Sequence, residues 1–561
     1  MKKNNNKIIW MSVVGICVVV LILFISIISN IVSKTADKYE QDKIARSQRS
    51  VDELLAEVDY STATPVKASI NMDDTSLYDE IPDIEKYPLA VQGTGEIDIE
   101  IFTSGEKAGV GNDSWLIDCA SKFNAEGHTT ADGKTISISV RSVSSGLAAD
   151  YIISNKYLPD LYTPSNILFG EYAKANGGKL EIYDERLVGN TAGILVRKNS
   201  EYKDVKTVLD DVMAGKFNIG YTNPQTSATG LNLLIDILKT YGNGDVTNAS
   251  ATEAFSNFNN NIPFVAYTTQ QMVASAGNGT LDGMVTEYQA YINDDNLKNS
   301  YDFIPFGVRH DNPLYIVNKE SKSKDELDAI KIIDEYLKND ACQQMAKECG
   351  FNANDDYKNE YDTSGAEVTQ SLKVYKSNKD AGKDIIAIFV ADCSGSMDGS
   401  PIMELKESLS NGMQYINDNN YVGLVSYSTD VTIEVPVEKF DLNQKSYFQG
   451  AINKLQANGG TSSYEAIVVA LKMMQDAKAE HPDAKCMIFL LSDGYANGDL
   501  MIDDIEYAVK DSEIPIYTIG YTEAADMGAL GSLSNINEAA SISADSDDII
   551  YKIKSLFNAQ L

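Results

Sequence analysis

The hydrophobic and polar positions of this chain change their rhythm several times, and each change marks a segment. Residues 8–32, "IIWMSVVGICVVVLILFISIISNIV", carry no charge. That is long enough to span a hydrocarbon core of about 30 Å as a helix. Lys2, Lys3 and Lys7 precede it. It is longer than the apolar core of a cleaved leader, so it predicts an uncleaved anchor. From 33 to 60 charges alternate, and Val51, Leu54, Leu55 and Val58 form a narrow stripe at helical spacing. This predicts a solvated helical stalk that spaces the domains from lipid. Residues 61–95 place Pro65, Pro82 and Pro88 among acidic positions, as a linker does.

From residue 96 a strand–polar turn–helix order repeats. "EIDIEIFTSG" leads into "WLIDCASKFNAE", and "KTISISVRSVSSG" into "LAADYIISN". That order predicts an α/β domain with parallel pairing. A polar connector at 362–383, with a short helix around "VTQSLKVY", separates it from a second α/β region at 384–561. There the strands are unbroken apolar runs: "DIIAIFVA", "YVGLVSYS", "CMIFLLS" and "IPIYTIGY". Such runs imply burial on both faces of a parallel sheet covered by helices. The full division is a tail at 1–7, an anchor at 8–32, a stalk at 33–60, a linker at 61–95, a first globular domain at 96–361, the connector, and a second domain at 384–561.

Composition narrows the function. The 561 residues carry a formal net charge of −34. An excess that large excludes nucleic acid as a partner, because phosphates are repelled. Six cysteines are too few for a disulfide scaffold, and free, mostly buried thiols are expected. No HExxH or GxSxG occurs. "GHTTADGKT" misses the P-loop, since five residues separate Gly127 from Gly133 where four are required. His128, His310 and His481 are scattered. No enzyme is expected. Lys and Arg flank the apolar span on both sides, so charge alone does not orient it.

The run "AIFVADCSGSMDGS" ends a buried strand abruptly in Asp392, Ser394 and Ser396. These are oxygen donors only, which suits Mg²⁺ or Mn²⁺ better than Zn²⁺. "ANGGTSSYEA" adds Thr461 after two glycines, and "FLLSDGYANGD" adds Asp493 after another strand. Two carboxylates and three hydroxyls would then meet at one sheet edge. In this order the residues resemble the metal-ion-dependent adhesion site of von Willebrand factor type A domains. The resemblance covers roughly 383–561 and includes the late segment "IPIYTIGYTEAADMGALGSLS". It implies a Mg²⁺ ion (or Mn²⁺ or Ca²⁺) held by Asp392, Ser394, Ser396, Thr461 and Asp493, with one coordination position open to an acidic side chain of a protein partner. In some relatives the helix matching "DSDDIIYKIKSLFNAQL" slides to transmit site occupancy. Here no segment follows it in the sequence, which argues against transmission by that route.

The first domain resembles solute-binding proteins of the type 2 periplasmic fold, notably those for molybdate and phosphate-like oxyanions. "VSSGLAADYIISNKYLPDLYTPSN", "NTAGILVRKNS", "NPQTSATGLNLL" and "IIDEYLKNDACQQMAKECGF" carry the likeness in order. It implies two lobes, with Ser104, Ser145 and Ser227 at strand ends or helix starts and Tyr288 nearby as ligand contacts. Neutral hydroxyls and helix N-terminal N–H groups can hold an oxyanion without Arg or Lys. Glu106 departs from that pattern: it would repel an anion unless Lys107 neutralises it. A small polar or cationic ligand, or none, therefore stands beside the oxyanion.

The fold expected is α/β: a bilobal type 2 solute-binding fold followed by a doubly wound, Rossmann-like von Willebrand factor A domain, behind an N-terminal transmembrane helix. The function expected is a single-pass, membrane-anchored extracytoplasmic binding or adhesion protein. The alternative is the solute-binding component of a transport system.

Overall fold

The computed structural model describes residues 43–544 apart from 71–76, 263–264, 267–271, 273–280, 380–382, 414–415, 495, 522–524, 538 and 540. The anchor expected at 8–32 and the helix expected at the C-terminus lie outside the described residues. Among those described, no helix is long and apolar enough to cross a membrane.

Alternation within one strand builds the second domain. Strand Ile385–Asp392 is buried along its whole length. Ile385, Ala387, Phe389 and Ala391 enter one apolar cluster, while Ile386, Ile388 and Val390 enter another. Period-two geometry sends alternate side chains to opposite faces, so an unbroken apolar run requires a cover on both. Helices Ser400–Gly412 and Leu442–Lys454 supply one cover through Leu405, Leu409 and Phe448. Helices Ser463–Glu480 and Ile502–Ser512 supply the other. The strand lies centrally in a seven-stranded sheet, parallel to both Tyr421–Tyr427 and Lys485–Ser492. Three strand ends therefore point the same way, and their following loops gather at one edge.

The first domain has two lobes. A six-stranded sheet containing Ile97–Thr103, Ile136–Ser142 and Leu161–Thr163 forms one. A five-stranded sheet containing Ala192–Arg197, Ile219–Thr222 and Gly283–Glu287 forms the other. The chain crosses between them twice. The crossings meet in an antiparallel bridge between Asn190 and His310, closed by paired backbone hydrogen bonds of 2.8 and 3.0 Å. His310 is wholly buried there. Its Nδ1 lies 2.9 Å from Glu287 Oε1, and its Nε2 lies 3.0 Å from Asn166 Nδ2.

Two expectations need correction. The stripe Val51, Leu54, Leu55 and Val58 does not face solvent. It sits on a helix over 43–55 and its C-terminal turn, packed on the second domain, with Val51 fully buried. Ser47 Oγ donates to Ala508 O at 3.4 Å, and Lys472 pairs with Asp52 at 3.3 Å. Nor are residues 61–95 a free linker. Strand Tyr60–Thr62 pairs in parallel with Val431–Lys439 and covers that sheet edge. Ala68 exchanges hydrogen bonds with Ser446. Beyond the undescribed 71–76, Ile81 and Ile84 are buried in the first domain, and Leu89–Val91 pairs antiparallel with Ile136–Ser142. An apolar stripe has to be buried, and its partner here lies more than 400 residues away. The solute-binding-like domain is thus inserted between two parts of one sheet.

The connector is also built in. Ser364 and Glu367 cap helix Gly365–Asn378 reciprocally. Val368, Ser371 and Tyr375 of that helix are buried against Ile167–Ala175 of one lobe and Ala228–Tyr241 of the other.

Candidate functional site

The strand-end site is assembled by hydrogen bonds between loops. Asp392 is fully buried. Its Oδ1 accepts from Ser394 N at 2.8 Å, and its Oδ2 accepts from Tyr427 OH at 3.0 Å and Ser492 Oγ at 2.7 Å. Ser394 and Ser396 bring their hydroxyls to 3.0 Å. The second loop is tied to the first by Gly395 N to Gly459 O at 3.1 Å and Asn458 N to Cys393 O at 2.8 Å. Gly459 takes a left-handed φ of 73°, which a side chain rarely adopts, and so turns the loop toward Thr461. The third loop is tied to the second by Asn497: its Oδ1 accepts from Thr461 N at 2.6 Å, and its N donates to Thr461 O at 3.0 Å.

The electrostatics fit a cation. Burial pushes the Asp392 carboxyl above the usual carboxylate range, and the neighbouring charge of Asp493 pushes it further. Among the described residues, the hydrogen bonds to Asp392 come from hydroxyls and backbone, and none comes from Lys, Arg or His. Two carboxylates in mutual repulsion beside clustered hydroxyls form a donor set suited to a hard divalent ion. Among the described residues no group of three or more His, Cys, Asp or Glu gathers as a metal site. Such a centre has to use hydroxyls.

The second site is a cleft of about 970 Å³ between the two lobes. One wall includes Ser104, Glu106, Asp113, Ser145 and Ser165, and the other Thr222, Ser227, Thr229, Thr286, Glu287 and Gln289. Glu106 Oε1 accepts from Ser104 Oγ at 2.5 Å, Ser165 Oγ at 2.7 Å and Lys107 Nζ at 2.7 Å. Lys107 is fully buried and also donates to Asn312 Oδ1 at 2.6 Å. Burial alone would raise the Glu106 carboxyl, but the Lys107 charge and these hydrogen bonds outweigh it and hold it at about 2. Glu287 accepts from Thr229 at 2.9 Å and Asn190 at 2.8 Å. Gln289 bridges the lobes, donating to Asp113 Oδ1 at 2.7 Å and Asn112 O at 3.1 Å.

Comparison with known proteins agrees with both halves. Residues 387–558 match the von Willebrand factor type A domain, and residues 108–352 match the bacterial extracellular solute-binding protein family. The chain combines a von Willebrand factor type A domain with a bacterial solute-binding domain. A von Willebrand factor A domain-containing protein of Dictyostelium discoideum is 33% identical over 24% of this chain and 14% of its own length. Inter-alpha-trypsin inhibitor heavy chain H3 of Bos taurus is 28% identical over 28% of this chain and 19% of its own. The chain thus spans less than a fifth of these two curated relatives. Among solved structures, the sulfate-binding protein SubI from Mycobacterium tuberculosis H37Rv is 13% identical with a TM-score of 0.34, covering 50% of this chain and 91% of that one. Both matched families are binding types rather than enzymatic ones.

Within the von Willebrand factor A domain, the loops carrying Asp392, Ser394, Ser396, Thr461 and Asp493 converge. Sequence reading missed Tyr427, Ser492 and Asn497, which orient the carboxylate and tie the loops. Ser492 stands beside Asp493 in the same strand-end motif, so its position was a usable signal. Tyr427 ends the neighbouring strand, and only sheet order brings it to Asp392. Within the solute-binding domain, Ser104, Ser145 and Ser227 line the cleft. Tyr288 is not among the lining residues. Its ring packs on Tyr291 and Phe303, with centroids 5.7 and 5.1 Å away, while its neighbours Glu287 and Gln289 face the cleft. Asp113, Ser165, Glu287 and Gln289 escaped the sequence reading.

Proposed function

We propose that the von Willebrand factor A domain binds a protein partner through a divalent cation, Mg²⁺ in the first instance, and that the solute-binding domain takes a small ligand in its cleft. The observation that carries the first part is the buried Asp392 carboxylate, beside Asp493 and the paired Ser394 and Ser396 hydroxyls, with no basic side chain among the described residues bonded to it. Asp392, Ser394, Ser396, Thr461 and Asp493 would hold the ion. When bound, the ion supplies a positive centre able to take an acidic side chain of the partner. Such a contact is stronger than an exposed ion pair, worth about 0–1 kcal/mol. The apolar run at 8–32 supports a membrane anchor, and the likeness of residues 108–352 to bacterial extracellular solute-binding proteins supports domains outside the cytoplasm.

A pull-down from membrane extracts with the full chain tests the reading. Capture should occur in Mg²⁺, vanish in EDTA and vanish for Asp392→Ala. Equal capture in EDTA contradicts it. The interlobe cleft favours a second reading, the solute-binding component of a transport system. High-affinity ligand binding with lobe closure, and no cation-dependent partner, would select that reading.

A further inference from the structure

One corner of the cleft wall gathers its donors onto a single oxygen. Oε1 of Glu106 accepts from Ser104 Oγ at 2.5 Å, Ser165 Oγ at 2.7 Å and Lys107 Nζ at 2.7 Å. The two serines follow different strands, Ile97–Thr103 and Leu161–Thr163, and their hydroxyls lie 3.1 Å apart. Glu106 and both serines line the cleft, whereas Lys107 is not among the lining residues.

Lys107 makes this corner a built site. It is wholly buried, and an ammonium has three N–H groups to place. They reach Glu106 Oε1, Ser104 Oγ at 3.0 Å and Asn312 Oδ1 at 2.6 Å. Asn312 is held in that orientation by its own donations to Val188 O and His310 O, each at 2.9 Å. Of the three acceptors only Glu106 is charged. A buried ammonium requires a counter-anion, and taking that anion away leaves an uncompensated charge in the wall. Burial would raise the Glu106 carboxyl, yet the Lys107 charge and the hydroxyls hold it at about 2, so the group in the corner is an anion at neutral pH.

The turn that presents these donors is held without the Glu106 side chain. Lys107 N and Ala108 N donate to Ser104 O at 3.1 and 3.3 Å, and Leu116 N donates to Lys107 O at 2.9 Å.

We infer that Glu106 is the tethered occupant of an oxyanion site, and that it sets the specificity of the cleft by shutting out free oxyanions such as sulfate, phosphate and molybdate. A free anion has to displace a carboxylate attached to the same turn, and attachment gives that carboxylate a high effective concentration. The inference goes beyond the solute reading and does not need it: a cleft that takes a solute of another class, or none, keeps this corner closed.

Calorimetry on the full chain with formate, sulfate, phosphate and molybdate tests this. The parent should take up none of them. Glu106→Ala removes the carboxylate, leaves Lys107, Ser104 and Ser165 around the vacated position, and should bind formate or sulfate at one saturable site. Its affinity should exceed the parent's by about a hundredfold or more. Glu106→Gln keeps the corner filled and should bind none, which separates occupancy from charge. Adding Lys107→Met to Glu106→Ala removes the cation and should abolish the anion site again. Where Glu106→Ala alone unfolds, formate or sulfate should restore its fold, read by circular dichroism. Oxyanion binding by the parent overturns the inference while it upholds the cleft as a solute site. A Glu106→Ala chain that no anion binds or refolds overturns it as well, as does anion binding that Glu106→Gln matches or that survives the loss of Lys107.

Discussion

Ser492 donates its hydroxyl to Oδ2 of Asp392 at 2.7 Å, joining the ends of two adjacent parallel strands. A second donor, the Tyr427 hydroxyl, reaches the same oxygen from the strand on the other side. The buried carboxylate is therefore held in place by the protein's own hydroxyls. Preorganisation of this kind separates a binding site from a group of acidic residues that must first be ordered.

Removing one of those donors should loosen the site without unfolding the sheet. Ser492→Ala deletes a hydrogen bond to a buried charge, worth about 1.5–3 kcal/mol for charged partners. Mg²⁺ affinity should fall by about tenfold, measured by calorimetry. An unchanged affinity would show that Asp392 needs no such support.

Acid should weaken the solute-binding domain through Glu106. Its carboxyl is held at about 2 in the fold against 4.5 ordinarily. Between those values the unfolded chain binds more protons than the folded one. The stabilisation is thus complete above about pH 4.5 and disappears as pH falls toward 2. It amounts to on the order of 3 kcal/mol. Denaturant unfolding between pH 6 and pH 2.5 should show this slope, and Glu106→Gln should flatten it. A variant with the same slope as the parent refutes the assignment.

Gly146 sits where the lobes meet. Its N donates to Thr226 O at 3.1 Å, and an added Cβ would stand 2.1 Å from the Gln225 carbonyl oxygen. Backbone cannot yield as a flexible side chain can, so Gly146→Ala should hold the lobes apart. Ligand affinity should drop by about tenfold, as the competent state becomes a minor one. Small-angle scattering should show a wider particle. Normal affinity with a compact particle would mean the lobes accommodate the methyl.

The N-terminal segment packs on the von Willebrand factor A domain rather than serving as a spacer. Val51→Asp places a charge in the buried apolar cluster that also holds Leu471, Ile505 and Ala508 and should lower the domain's stability by several kcal/mol. Val51→Ala should cost about 2 kcal/mol. Thermal unfolding indistinguishable from the parent for both variants would restore the stalk.

The parts legible in the sequence were those carried by local pattern. The strand Ile385–Asp392 announced itself by an unbroken apolar run, and the hydroxyl and carboxylate cluster at its end by Asp392, Ser394 and Ser396 at fixed spacing. The stripe from Val51 to Val58 predicted a helix correctly but not its partner, because periodicity says that a face needs burial and not against what. Glu106 and Lys107 were visible as a conflict with an anion ligand. Their resolution required knowing that Ser104 and Ser165 from separate strand ends converge on one carboxylate. Tyr288 failed by one position: at a strand-to-helix junction the facing direction changes, and Glu287 and Gln289 took the cleft instead.

Titration of the full chain with Mg²⁺, beside Asp392→Asn, tests the central claim most directly. One site of saturable binding, lost in the variant while its circular dichroism and unfolding midpoint stay those of a folded protein, is the result expected. Binding of equal strength in both proteins, or none in the parent, would contradict a cation site at the end of Ile385–Asp392.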